Sequence, residues 1–297
     1  MPDLTETIAL IRGLHRQRRF AMKVQQKLDR SLESFLRINA TEWNPNAEEK
    51  DREKANREVK AIIDRIRAGE AHQFADEVLM VDEARKPTDD KRAAAEKAME
   101  KAAKELPVYP WIEGMRGAGA LGLATIVAEC GDLSNYATPP KLWKRLGFAP
   151  YDGHAGSTWK RESWRPRSLS KDEWIENPFS GERYALMAQI ALWLVNTQWI
   201  GAKKSDTGEG KPNGPYGEVY AKRHKHTKET HPEWSDGHRR KDALRVTMKK
   251  FLLDLWTEWN RDAVAKRLVN SITGMRPPAP GQAVRELQAT NAGRPQS

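Results

Sequence analysis

One cysteine in 297 residues, Cys130, excludes an internal disulfide and any zinc site built on paired thiolates. It sits at the end of an apolar stretch, where a buried structural thiol is expected. No apolar run approaches the roughly 20 residues of a membrane span, and the N-terminus lacks the apolar segment of a secretion signal. The expected setting is therefore cytoplasmic, with no membrane partner. Before Pro107 there is no strand-like alternation and no aspartate following an apolar strand, so a carboxylate metal site on an α/β sheet is excluded there. What the chain does have is charge: 31% of residues are Asp, Glu, Lys or Arg and mean hydropathy is −0.79. The net charge of +10 is unevenly placed, being +1 over residues 1–105, −2 over 106–140, +8 over 141–261 and +3 beyond. A basic field confined to one region suits a polyanionic partner.

The length allows two domains. From about Leu4 to about Arg37, apolar residues recur at helical spacing: Leu4, Ile8, Ile11, Leu14, Met22, Leu28, Leu32, Phe35 and Leu36. A second, charge-dense helix is predicted from about Ala47 to about Ala84, with Val59, Ile62, Ile63, Ile66, Phe74 and Val78 on one side and a bend at Gly69. Lys86-Pro87-Thr88 is expected to end it, and an alanine-rich helix follows from Asp89 to Glu105. Long helices with a narrow apolar stripe predict an antiparallel coiled-coil hairpin over residues 1–106, pairing protomers as a homodimer. A stiff linker, Leu106-Pro107-Val108-Tyr109-Pro110, leads into a second domain over 107–270, which holds ten of the eleven tryptophans. Residues 201–217 form a Gly/Pro/Lys loop, and a disordered tail is expected over 271–297. The fold class is mainly α.

The most informative stretch is Ile112 to Pro150. Gly114, Gly117 and Gly119 crowd a turn, and a nearly uncharged helix runs from Ala118 to Glu129. Gly131 suits a helix C′ position, and Thr138 followed by Pro139-Pro140 suits an N-cap and first turn. This predicts a helix-hairpin-helix unit whose backbone N–H groups, at Gly114, Arg116, Gly117 and Gly119, contact phosphate.

The residues Gly114, Gly117, Glu129, Gly131, Asp132, Lys141, Leu142, Leu146, Gly147 and Pro150 resemble the C-terminal domain of the bridge-RNA-guided DEDD/serine transposases. The likeness continues through Ser180–Tyr184, Tyr216–Tyr220 and Gly237–Trp256. That domain is related to the Nop domain of box C/D ribonucleoproteins and to the Tas proteins of TIGR-Tas systems. The resemblance implies an all-α Nop-like domain gripping a structured, box C/D-like guide RNA and carrying it to target DNA. It also implies two catalytic elements in complete transposases. One is an N-terminal RuvC-like nuclease domain, which is absent before Pro107. The other is a serine, whose aligned position here holds Ala155, with Ser157 two residues further on. The expectation is a nuclease-free guide-RNA-binding protein without cofactor or metal. The alternative is a recombinase using Ser157 as nucleophile or a nuclease domain supplied in trans.

The binding chemistry is carried by Trp159-Lys160-Arg161 and Trp164-Arg165-Pro166-Arg167, which interleave indoles with cations. Guanidinium groups pair with phosphate, and flat rings stack on unpaired bases. Lys222, Arg223 and Lys225, then Arg239, Arg240, Lys241 and Arg245, add basic clusters, with Arg183 from the resembling block. His224, His226, His231 and His238 lie among cations, in no zinc-like spacing, and are expected to extend the basic loop. Trp193, Trp199, Trp256 and Trp259 are expected to pack in the core.

Overall fold

The computed structural model describes residues 3–46, 48–148, 181–200 and 211–261. It is mainly helical. Helix α1 (Leu4–Ala40) starts at Asp3, whose carboxylate accepts from the Thr5 amide. It is followed by α2 (Glu49–Arg67) and α3 (Ala75–Lys104). The single helix expected over 47–84 is thus two, because Gly69 ends α2 and does not merely bend it. Gly69 adopts φ +92°, its amide bonds to the Ile66 carbonyl at 2.9 Å and Glu70 N bonds to Arg65 O at 3.1 Å. That pair of bonds closes the helix end, and it requires a residue content with left-handed backbone.

The stop expected at Pro87 does not occur: α3 runs through it. Proline removes one helical hydrogen bond, but Pro87 faces solvent, where the freed carbonyl can be hydrated. Contacts from α1 on both sides of the proline hold α3 in line. Asp29 takes Arg85, Gln25 takes Asp89, and Arg18 Nε donates to Glu96 at 2.7 Å. These pairs step forward on α1 as they step backward on α3, so the two helices are antiparallel. The seam is apolar only at its ends. Ile8 and Ile11 meet Met99 and Ala103 at one end; at the other, Leu32 and Leu36 join α2 residues Val59, Ile62, Ile63 and Ile66. Between them the buried positions are His15, Arg18, Ala21 and Gln25. Met22 and Leu28 are only partly buried and Phe35 is exposed, so the sequence periodicity marked the neighbouring face over this stretch.

Beyond α3 the chain makes α4 (Tyr109–Glu113), α5 (Gly119–Cys130), a single 3-10 turn (Leu133–Asn135) and α6 (Pro139–Arg145). Then come α7 (Gly181–Gln198), a two-residue antiparallel pairing of β1 (Trp199–Ile200) with β2 (Lys211–Pro212), α8 (Pro215–Thr230) and α9 (Asp236–Trp259). Helix α5 is the centre of the main core, with Leu123, Ala124, Ile126 and Val127 all but inaccessible. The same apolar cluster includes Ile11 of α1, Met99 of α3, Leu142 of α6, Leu194 of α7 and Phe251 of α9. The core therefore continues across residue 106. Trp256 and Trp259 fasten α9 to the turn after α5, donating to Tyr136 O and Asp132 Oδ1, both at 2.9 Å. Among the described residues no helix is long and apolar enough to cross a membrane.

Candidate nucleic-acid interface

Helix α5 ends at Gly131, whose φ of +78° lets its amide close on Val127 O at 2.7 Å. The last turn of a helix presents carbonyl oxygens and the negative end of its dipole, which favours cations. Arginines from three other helices gather there. Arg145 of α6 donates Nε to the Glu129 carbonyl at 3.3 Å. Arg12 of α1 lies over Gly131, its Nη2 2.9 Å from where a side chain would begin. Arg19 of α1 and Arg183 of α7 reach the Glu129 carboxylate itself, at 3.3 and 2.9 Å, and His15 Nε2 lies 3.0 Å from it.

Glu129 is 6% exposed. Burial pushes its carboxyl up, but the hydrogen bond and charge of His15, with Arg183 and Arg19, outweigh that and hold it at about 2. It is a fixed anion that organises a crowded set of cations. Beside it, burial pushes the Cys130 thiol far up, as expected of an inert structural cysteine. Burial likewise raises the Tyr136 hydroxyl to about 12, and that hydroxyl donates to Cys130 O at 2.9 Å.

Ser157, Ala155, Trp159, Lys160, Arg161, Trp164, Arg165 and Arg167 lie outside the described residues. Among the described residues, Phe148 and Tyr184 pack with ring centroids 5.2 Å apart.

The other basic residues divide into two groups. Arg223 and Arg245 both hold Asp242, whose side chain is 3% exposed, with Arg223 Nε at 2.5 Å. Burial pushes the Asp242 carboxyl up, and the two guanidinium groups bring it below its ordinary range. Arg239 braces the α8–α9 turn, donating to Asp236 Oδ1 and Pro232 O at 2.8 Å. These three arginines serve the fold. Lys222, Lys225, Arg240 and Lys241 are exposed and present their charge outward. Asp242→Ala is expected to destabilise by about 2 kcal/mol, below the usual cost of breaking a buried pair because both arginines are a third exposed. A lower denaturant midpoint with an unchanged slope would show it.

The histidines expected to extend the basic loop are partly committed to stacking. Trp234 lies between His231 and His238, with centroids 4.1 Å apart on each side. His224 stacks on Tyr220 at 5.9 Å. Of the tryptophans expected in the core, Trp256 and Trp259 pack against it, whereas Trp193 is 38% exposed. Trp193 lines a recess of about 420 Å³ beside the glycine turn, together with Met115, Leu121, Asn196 and Thr197. Helix α7 is apolar nearly all round, so its pattern gave no outward face for Trp193.

The glycine turn itself is used for packing. Gly117 has φ +87°, and a side chain there would collide with Thr197 and the α7 backbone. Arg116 Nη2 donates to Asn213 O, and its own carbonyl accepts from Gln198 Nε2, both at 2.8 Å. Among the described residues, nothing lies within 4 Å of where a side chain would begin at Gly114 or Gly119. Sequence reasoning noted Glu129 only as part of a motif and missed Arg12, Arg19 and Arg145. Their common target is visible only once α1, α5 and α6 are brought together. No family model, curated protein or solved structure matches this chain.

Proposed function

We propose that the protein binds a structured RNA through its second half and uses it as a guide to reach DNA, without a nuclease centre of its own. The observation that carries this reading is the convergence of Arg12, Arg19, Arg145 and Arg183 at the C-terminal end of α5. Guanidinium groups held by a buried carboxylate, as those of Arg19 and Arg183 are, are fixed in place before the ligand arrives, which suits phosphate recognition. The exposed cations of α8 and α9 extend the positive field, and the +8 of residues 141–261 supplies its long-range pull. Resemblance to Nop-like transposase and Tas proteins supports a box C/D-like guide. In this reading base pairing supplies sequence recognition, and the protein supplies shape and charge. The N-terminal arm pairs protomers through the exposed side chains Leu10, Phe20 and Ile38.

The test is sequencing of RNA that co-purifies with the full chain, followed by binding of a kink-turn RNA in increasing salt. Short RNA of defined length is expected. Replacing Lys222, Lys225, Arg240 and Lys241 by alanine is expected to weaken binding on the order of tenfold or more, and to flatten its salt dependence. Protein that purifies free of nucleic acid and ignores structured RNA at moderate salt overturns the proposal.

A further inference from the structure

The N-terminal third is close to neutral in sum, yet α1 is not neutral by face. Arg12, Arg16, Arg19, Lys23, Lys27 and Arg30 follow one another at spacings of four, three, four, four and three. That is the rhythm of a single stripe on a helix, running about 27 Å at 1.5 Å per residue. The three acids of α1 fall elsewhere. Glu6 and Glu33 lie beyond the ends of the row, and Asp29 turns to Arg85 of α3. The buried seam against α3 uses Ile11, His15, Arg18, Gln25 and Leu32, so the cations occupy a flank that this seam leaves uncovered. Arg12, Arg16, Lys23, Lys27 and Arg30 are exposed, and Arg19 is partly buried where it meets Glu129. Arg12 and Arg19, the first and third members of the row, belong to the arginine cluster at the end of α5. The stripe and the candidate interface therefore form one continuous basic surface.

We infer that this flank of α1 is a rail for the phosphate backbone of a double-helical nucleic-acid segment, entering from the arginine cluster and running along the arm. The inference rests on the nucleic-acid reading above and adds a second surface and a shape to it. A straight rod of regularly spaced cations matches the regular phosphates of a duplex, and 27 Å spans about eight base-pair steps of 3.4 Å. Single strands are usually held by rows of stacking aromatic rings. Here one exposed ring, Phe20, stands at the edge of the row. A second copy of the chain would have to bring a comparable row of acids. On the outward side of α3, Asp76, Glu83 and Asp90 recur every seventh residue, but Lys97 and Lys104 occupy the next two places. That line is shorter than the row on α1 and changes sign.

The decisive variant combines Arg16→Gln, Lys27→Gln and Arg30→Gln, all exposed positions whose loss should leave the melting temperature unchanged. Binding is measured from about 50 to about 200 mM salt with three probes: an RNA hairpin, a DNA duplex of the same sequence, and the unpaired strand. Removing three phosphate contacts should reduce the slope of log affinity against log salt by about 2.7, so wild-type affinity falls roughly fortyfold more across that range. The change is expected with a duplex probe and not with the single strand; whether RNA or DNA shows it identifies the source of the duplex. An unchanged slope with every probe, while the wild type still binds, overturns the rail and leaves the proposed function standing. A wild type that binds none of the three overturns both. A triple variant that turns from dimer to monomer by light scattering assigns the flank to a second copy and overturns the rail.

Discussion

Replacing Glu129 with glutamine is expected to be among the most damaging single changes in the chain, costing about 3–5 kcal/mol. A drop in melting temperature of roughly 6–12 °C would register it. The side chain keeps its shape but loses its charge, so Arg19, Arg183 and the His15 ring lose the anion they share. Since the three partners come from α1 and α7 while Glu129 sits on α5, the loss acts on the packing of α1 and α7 around α5. The effect has a pH signature. The folded carboxyl lies at about 2, below the ordinary value of about 4.3, so its stabilisation is complete above the ordinary value. It is lost as pH falls toward 2. Wild type should therefore lose stability more steeply than Glu129→Gln between about pH 4.5 and pH 2, and the two curves should converge in acid. Sulfate should raise the melting temperature of the variant more than that of the wild type, because an added anion can take the place of the missing carboxylate. Parallel pH curves for the two proteins would show that Glu129 does not hold the cluster together.

Much of the fold is legible residue by residue. Gly131 past the end of α5 and the proline start of α6 follow from local chemistry that the surroundings do not override. Pro87 was misleading because a local rule met a tertiary support: α1 braces α3 on both sides of it. The polar middle of the α1–α3 seam is invisible to an apolar periodicity. Its residues are recognised only by their partners, and Arg18 and Glu96 are 78 residues apart. The basic flank of α1 was hidden by summing charge over a third of the chain, where the excess of α1 is offset by acids that lie between the helices: Asp3, Glu42, Glu48, Glu70 and Glu105. Reading the signs at helical spacing would have found it. No such device would have found the Glu129 cluster, since His15 and Arg183 lie 114 and 54 residues away in opposite directions.

Gly117→Ala is expected to rival the Glu129 change, and it separates two readings of the glycine turn. A methyl group at that position would sit 2.1 Å from Thr197 Oγ1, 2.8 Å from Trp193 O and 2.9 Å from Leu194 Cα. The last two are backbone atoms of α7. The Thr197 hydroxyl is itself held by Trp193 O at 2.9 Å and Leu194 O at 3.0 Å, so it does not swing aside without losing those bonds. The positive φ adds strain for any residue with a side chain. Strain and overpacking each cost about 1–3 kcal/mol, and α7 has to move away from the turn. That displacement would reach α8, because Gln198 receives the turn through Arg116 O and passes it on through Oε1, which accepts from Tyr216 N at 3.0 Å. Gly119→Ala is the matched control: φ is +57° but among the described residues nothing lies within 4 Å, so strain alone applies, at about 1–2 kcal/mol. Thr197→Ala should recover part of the Gly117→Ala loss, giving a coupling of about 1 kcal/mol or more in a double-mutant cycle followed by chemical denaturation. If Gly117→Ala instead keeps its stability and loses affinity for RNA, the turn is a phosphate contact, and the close approach of α7 is not what requires glycine there.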